Sequence, residues 1–175
     1  MILAIDPGNA DTGFVLYDST RLQLLARGKW PNGKLLTAIR NREFADADSL
    51  AIEHAQSFGM KVWNQVFDAT LWGGRFVESW DLASGGKPHR LVYRRDAKVH
   101  VTGSGKAKDQ QVRQCLLERW GGKDIAMGTR KTPGPLAGVT ADMWAALAIA
   151  VYAAEVAVFR TDADLKAAPL NGGAA

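Results

Sequence analysis

Residues 1–18 read MILAIDPGNADTGFVLYD, which is two apolar runs joined by a short polar turn. The runs at 2–6 and 13–17 are typical of strands, and Gly, Asn and Asp between them favour a tight turn, so the stretch predicts a β-hairpin. Asp6 ends the first run. A carboxylate at the end of a buried strand costs free energy unless something binds it, and Asp6 is therefore a candidate functional residue.

The pattern of the remaining chain predicts an α/β fold. The further expected strands cover 22–29, 49–55, 90–93 and 99–102, and the expected helices cover about 62 to 80, 106–120 and 140–159. Residues 34–48 are expected to form a short helix or an irregular connection. Within the helix from about 62 to 80, Gly73-Gly74 is either a close-packing point or a break. This order predicts a mixed sheet, antiparallel at its start and parallel where helices intervene.

Composition limits the class of protein. The 175 residues are 47% hydrophobic and 23% charged, which suits one globular domain. Cys115 is the only cysteine, so an internal disulfide and a cysteine-based metal site are excluded. The start of the chain turns acidic too soon for a secretory signal, and the apolar stretch 143–159 is alanine-rich and interrupted by Glu155. We expect a cytoplasmic protein with one domain over 1–160 and a flexible tail over 161–175.

Three acidic residues stand in apolar surroundings, where acids are costly. Besides Asp6, Glu53 lies inside the run SLAIEHA and Asp142 lies in the first turn of the last helix. If the two strands are neighbours and the helix packs on them, the three carboxylates meet and require a hard cation such as Mg²⁺ or Mn²⁺. The alternative is that Asp6 caps its turn and Asp142 complements the helix N-terminus. Glu53 has no such simple explanation.

Basic residues are concentrated between Lys87 and Arg113, where eight basic side chains stand against two acidic ones in a chain of net charge +4. Such a stripe is typical of a protein that binds a polyanion, although a solvated surface gives the same pattern. Lys106 and Lys108 lie in the glycine-rich stretch TGSGKAK, which can cradle phosphates. The string GSGK lacks the GxxxxGK[ST] pattern, so no nucleotide cofactor is expected.

Four motifs in this order resemble one known family. AIDPGNADTG, AIEHA, KVHVTGSGKAKDQQVRQCLLERWGG and DMWAALAIA together are similar to the RuvC family of Holliday junction resolvases, within the ribonuclease H-like superfamily. The resemblance extends over about residues 2–157. Details such as QSFGMKVWNQVF and KTPGPLAGVTADMWAALA look more like the phage-encoded branch than the bacterial one.

The resemblance implies a fold, an activity and partners. The fold would be a mixed five-stranded sheet with helices on both faces. The protein would be a homodimeric endonuclease that hydrolyses phosphodiester bonds in four-way or branched DNA and leaves a 5′-phosphate, in a bacterial or phage-infected cell, without a membrane. Two Mg²⁺ or Mn²⁺ ions would be bridged by Asp6, with Glu53 holding one and Asp142 the other.

The resemblance also assigns DNA contacts and shows two departures. Lys98 matches a family lysine, whereas Asp109 stands at a position that is normally basic. Ala145 stands where the family has a second acid in the last motif, and water, His54 or Asp11 would have to substitute. The residues predicted to contact DNA, from the resemblance and from the basic stripe, are Arg94, Arg95, Lys98, Lys106, Lys108 and the wedge candidate Phe58.

Two other functions remain open at this stage. The missing fourth acid at Ala145 also fits a junction-binding protein with weak or no cleavage. An RNA-processing nuclease would share the same fold and the same acids. The helix that contains Trp63, Trp72 and Trp80 is expected to be mostly core, with part of it forming the dimer interface.

Overall fold

A mixed sheet of five strands forms the centre of the computed structural model, which describes residues 1–56 and 63–156. The strands are β1 (Ile2–Asp6), β2 (Asp11–Asp18), β3 (Gln23–Pro31), β4 (Ser49–His54) and β5 (His89–Tyr93). Their order in the sheet is β3-β2-β1-β4-β5. The first three strands pair antiparallel, and β4 and β5 add in parallel, which confirms the predicted mixed sheet.

Helices cover both faces of this sheet. They are α1 (Asn32–Arg40), α2 (Asn64–Ala83), α3 (Arg94–Thr102), α4 (Asp109–Arg119), α5 (Lys123–Met127) and α6 (Met143–Glu155). Side chains alternate along each strand, so β1 sends Leu3 and Ile5 into a core with α1 and α2. Ile2 and Ala4 enter a second core with α3, α4 and α6. The fold is therefore α/β, with a mixed five-stranded sheet between two layers of helices, as expected.

Helix α6 packs on the sheet through small residues. Its buried face includes Ala146, Ala148, Ala150 and Ala153. Its N-terminus lies on β2 at Gly13. A Cβ on Gly13 would lie 2.8 Å from the backbone carbon of Asp142. Only glycine accommodates this approach, which is closer than real Cβ contacts. The contact fixes the start of α6 above the row of the sheet that contains Asp6, its partner on β1.

The predicted strand over 99–102 and the predicted start of the last helix differ from the structure. Residues 99–102 belong to helix α3 and not to a strand, because Ala97 and Val101 lie one helical turn apart and are both buried in the core with α6. The last helix begins at Met143, with Asp142 as its N-cap, and not at Thr140. Of the two alternatives for Gly73-Gly74, a break in α2 is wrong, and a Cβ on Gly73 would lie 3.7 Å from Cγ of Pro7, which is an ordinary contact.

The predicted domain boundary after residue 160 lies outside the described residues. The proposed boundary between a domain over 1–160 and a tail over 161–175 stays a prediction, because the description ends at residue 156. Among the helices that the structure describes, none has the length and apolar character needed to cross a membrane.

Candidate active site

Asp6 and Glu53 lie side by side at the carboxyl ends of two parallel strands. Strand β1 pairs with β4 up to Ile5 and Ile52, so the next residue of each strand is an acid on the α6 face of the sheet. Both carboxyl groups are largely buried, and they are close enough for Glu53 to raise the pKa of Asp6. The apolar strands thus place the two carboxyl groups together, as the sequence predicts.

This pair is electrostatically costly without a positive charge. Burial raises the pKa of Asp6 well above its ordinary value of 3.8, and the adjacent Glu53 raises it further, while Arg94 opposes the rise. Burial also raises the pKa of Glu53, again against the effect of Arg94. Two carboxyl groups in one buried place favour sharing a proton or binding a cation.

Arg94 supplies a positive charge to the pair from the first turn of α3. Its Nη1 donates to Glu53 at 3.1 Å and lies 3.9 Å from Oδ1 of Asp6. Its Nη2 donates to both carboxylate oxygens of Asp109, each at 3.3 Å. Lys98, one turn later, donates to Asp109 at 2.9 Å and to the carbonyl of Ala107. Arg94 therefore bridges the buried acids to an exposed acid at the start of α4.

Asp142 approaches the same site from α6 but has a different partner. Its Oδ2 accepts from Nζ of Lys29 on β3 at 2.7 Å. The preceding residue, Ala141, has a φ of 44°, in the left-handed region that is unfavourable for a residue with a Cβ. Asp142 still raises the pKa of Asp6, although less than burial, Glu53 and Arg94 influence it. Its carboxylate is therefore near the pair without joining it.

Two cavities open beside the buried pair. The smaller one, of about 270 Å³, is lined by all three predicted acids together with Asp109 and Ala145. The larger one, of about 750 Å³, extends from Asp6 and Glu53 towards α2. Together they give a ligand access to the two carboxyl groups from both sides of Arg94.

The turn after Asp6 is held by a buried hydrogen-bond network. Thr12 Oγ1 donates to Oδ1 of Asn32 at 2.6 Å, and Nδ2 of Asn32 donates to the carbonyl of Gly8 at 3.0 Å. The backbone N–H of Gly8 completes the network on Thr12 Oγ1. Because Thr12 and Asn32 are both buried, each polar atom depends on the other. The network fixes the loop that borders the larger cavity.

Only some of the predicted DNA-contacting residues lie beside the acid pair. Arg94, Arg95 and Lys98 line the larger cavity, and Arg95 packs on Gly105. Lys106 and Lys108 are exposed in the loop before α4 and line neither cavity. The wedge candidate, residue 58, lies outside the described residues. The role of these residues in binding DNA stays a prediction.

Ala145 and the acids or histidine that could substitute for it differ in whether they line the two cavities. Ala145 lines the smaller cavity, so the missing acid leaves a methyl group at the site. His54 lines only the larger cavity and has its ring near that of Tyr93, while Asp11 lines neither. Asp109 is the further acid in the smaller cavity, but Arg94 and Lys98 already contact its carboxylate.

Sequence reasoning missed two parts of this site. Lys29 carries no motif, and only the register of β2 with β3 places it opposite Gly13 and beside Asp142. Asp109 was expected to stand in place of a basic residue that contacts phosphate, whereas the structure shows it as the partner of Arg94. The charge-rich stretch that contains Arg94 and Asp109 was the available signal, and it did not specify the pairing.

The donor set suits a hard divalent cation, although the acids are not fully assembled. Asp6 and Glu53 offer only oxygen ligands, as Mg²⁺ and Mn²⁺ require, and Arg94 already stands beside them as a positive charge. Across residues 1–56 and 63–156, no three His, Cys, Asp or Glu side chains are close enough to hold one ion together. Asp6 and Glu53 therefore fit one ion, and a further ligand at Asp142 requires its release from Lys29.

Comparison with solved structures defines the class of fold. The chain has the fold of RuvC structures. It is similar to T. thermophilus RuvC in complex with Holliday junction substrate, with 18% sequence identity, a TM-score of 0.61 and coverage of 94% of this chain and 95% of that one. A second Thermus thermophilus RuvC structure gives 18% identity and a TM-score of 0.57, covering 89% of this chain and 95% of that chain. No protein-family model and no curated protein matches the sequence.

Proposed function

We propose that this protein is a metal-dependent endonuclease that cuts four-way or branched DNA by phosphodiester hydrolysis. The observation that carries the proposal is the pair of buried carboxyl groups, Asp6 and Glu53, at the mouth of a cavity that is lined by Arg94, Arg95 and Lys98. The likeness of the fold to a RuvC bound to a Holliday junction substrate supports branched DNA as the substrate class.

The site's own residues divide the work between charge and position. Asp6 and Glu53 would hold a Mg²⁺ or Mn²⁺ ion, with Asp142 as the ligand of a second. A bound divalent cation would act as a Lewis acid on the scissile phosphate. A product with a 5′-phosphate is part of the proposal because the resemblance to RuvC implies it. Arg94 and Lys98 stand where they can neutralise phosphate oxygens that enter the larger cavity.

A homodimer is part of the proposal, because a four-way junction is cut on two strands by two sites. Helix α2 and the residue before it expose large apolar side chains at helical spacing, namely Trp63, Phe67 and Leu71. A contiguous exposed apolar stripe is typical of an interface. Light scattering of the purified chain should give twice the mass of a monomer, and Leu71→Glu should reduce it to the monomer mass.

The test of activity is cleavage of a labelled four-way junction, with a linear duplex of the same sequence as the control substrate. We expect paired nicks in Mg²⁺ or Mn²⁺, none with EDTA, and at least a ~100-fold loss in Asp6→Asn and Glu53→Gln, because either change removes a carboxylate from the site. Asp46→Asn changes an exposed acid away from the site and should cut like the wild type. Cleavage that persists in Asp6→Asn would contradict the assignment.

A second candidate function has its own supporting observation. Ala145 offers no ligand, and Asp142 is paired with Lys29, which suits a protein that binds junctions and cleaves them weakly or not at all. Tight junction binding in a gel-shift assay without nicks in either metal would favour this function. Cleavage of an RNA–DNA hybrid in preference to the junction would instead favour an RNA-processing nuclease.

A further inference from the structure

Lys29 forms an ion pair with Asp142, beside the carboxyl groups of Asp6 and Glu53, although its strand, β3, is at the edge of the sheet. Both side chains of this ion pair are about two-fifths exposed, at 42% and 43%. An exposed pair of this kind contributes little to folding stability. Stability is therefore a weak reason for the pair, and its position in the site suggests another.

A single row of residues crosses the sheet at this point. Lys29 on β3 pairs with Gly13 on β2, and Gly13 pairs with Asp6 on β1. Glu53 lies beside Asp6 on β4, one residue beyond the last pair of that ladder. Directly paired residues point to the same face of a sheet, so the lysine and the two acids all face α6.

Asp142 lies over the middle of this row. A Cβ on Gly13 would lie 2.9 Å from Cβ of Asp142, and neighbouring strands about 4.8 Å apart place Lys29 on one side and Asp6 on the other. The carboxylate makes no side-chain capping hydrogen bond to α6, so the helix does not fix its direction. Asp142 can thus turn either to the lysine or to the acid pair.

We propose that Lys29 competes with a divalent cation for the carboxylate of Asp142 and so sets how tightly the site binds its metal. The inference rests on the proposed metal-dependent function. Without metal, Lys29 holds Asp142 on the antiparallel side of the sheet, which explains why the three acids do not form one cluster. Binding of the ion at Asp142 exchanges the ion pair for a ligand bond and leaves the ammonium of Lys29 available to a phosphate of the DNA.

The expected size of this effect follows from the strength of the ion pair that the metal must displace. An exposed ion pair shifts an equilibrium by at most about fivefold, so its loss on metal binding at Asp142 weakens binding of the cation by up to that factor. Removing the charge of Lys29 should strengthen metal binding by that order. Replacing it with another cation should leave the affinity unchanged.

The test is Mn²⁺ binding to the full chain without DNA, followed by the EPR signal of free Mn²⁺ and by calorimetry. We expect Lys29→Met to bind Mn²⁺ up to about fivefold more tightly than the wild type, and Lys29→Arg to bind like the wild type. Lys123→Met is the matched control, since Lys123 is exposed in α5 and lines neither cavity. In an Asp142→Asn background, Lys29→Met should have no effect, because the contested carboxylate is gone.

Three results would overturn the inference. These are an unchanged or weaker affinity in Lys29→Met, an equal gain in Lys123→Met, or a gain that persists in the Asp142→Asn background. If the wild type binds Mn²⁺ and Lys29→Met binds it equally well, only the role of Lys29 is wrong. If neither binds Mn²⁺, the proposed metal dependence fails together with it.

Discussion

Replacing Gly13 with alanine tests whether the approach of α6 to β2 positions Asp142. The added Cβ would lie 2.8 Å from the backbone carbon of Asp142 and 2.9 Å from its carbonyl oxygen. Ordinary contacts of a Cβ begin at 3.4 Å, so the strand and the helix must separate by about 0.6 Å. Backbone atoms on both sides leave no flexible side chain to yield.

Two quantities should change as a result. Overpacking of this kind costs about 1–3 kcal/mol in the free energy of unfolding, which for a chain of this size lowers the melting temperature by about 2–4 °C for each kcal/mol. A shift of 1 Å in a catalytic group can cost about 100-fold in rate, so a 0.6 Å shift of Asp142 should slow junction cleavage by at least about tenfold. Urea denaturation and single-turnover cleavage measure the two effects separately.

The control for Gly13→Ala is Gly33→Ala. Gly33 lies in the first turn of α1, and a Cβ there would meet nothing within 4 Å. Alanine in a helix is favoured over glycine by up to about 1 kcal/mol, so this variant should be at least as stable as the wild type and should cleave at the same rate. If Gly13→Ala is destabilised but cleaves normally while folded, the contact supports packing and does not position Asp142.

Other substitutions test the packing and the surface charge. Gly74→Ala, in the middle of α2 with open space around the new Cβ, should raise the free energy of unfolding by about 0.5–1 kcal/mol. If urea denaturation shows no increase in that free energy, the space around the new Cβ is not open. Phe76→Ala removes a fully buried ring and should cost about 3–5 kcal/mol; a loss under ~1 kcal/mol would show that the core is not tightly packed there. Partial burial acts to raise the pKa of Glu155, but hydrogen bonds from His100 and Arg119 hold that pKa below its ordinary 4.5. The contribution of Glu155 to the free energy of unfolding is therefore present above pH 4.5 and is lost as pH falls below that value. Because the pair is half exposed, Glu155→Gln should remove at most ~1 kcal/mol at pH 7 and should flatten the acid limb of the stability curve; an unchanged acid limb would contradict this.

The sequence predicts the acid pair because its two strands carry strong local signals. Residues 2–6 and 49–55 are apolar runs that end in turns or polar residues, and parallel strands bring their carboxyl ends to one edge. Asp6 and Glu53 therefore meet without any information beyond pattern and topology. The same reasoning predicts that a helix brings Asp142 to this edge.

The sequence does not predict features that depend on packing between distant elements. Residues 99–102, with two valines and a threonine, favour a strand locally, but burial of Ala97 and Val101 against α6 makes this segment helical. The pairing of Lys29 with Asp142 depends on the register of β3 and on the angle at which α6 lies across the sheet. Neither quantity has a local signature in the sequence.

The buried contact between Thr12 and Asn32 has a consequence for the evolution of this chain. Each residue satisfies a polar atom of the other in a place that water does not reach, so a change at one of them leaves an unsatisfied group at the other. The two positions should therefore change together among homologues, as either a polar pair or an apolar pair. A lineage that has replaced both would have to hold the loop after Asp6, at the carbonyl of Gly8, by another hydrogen-bond donor.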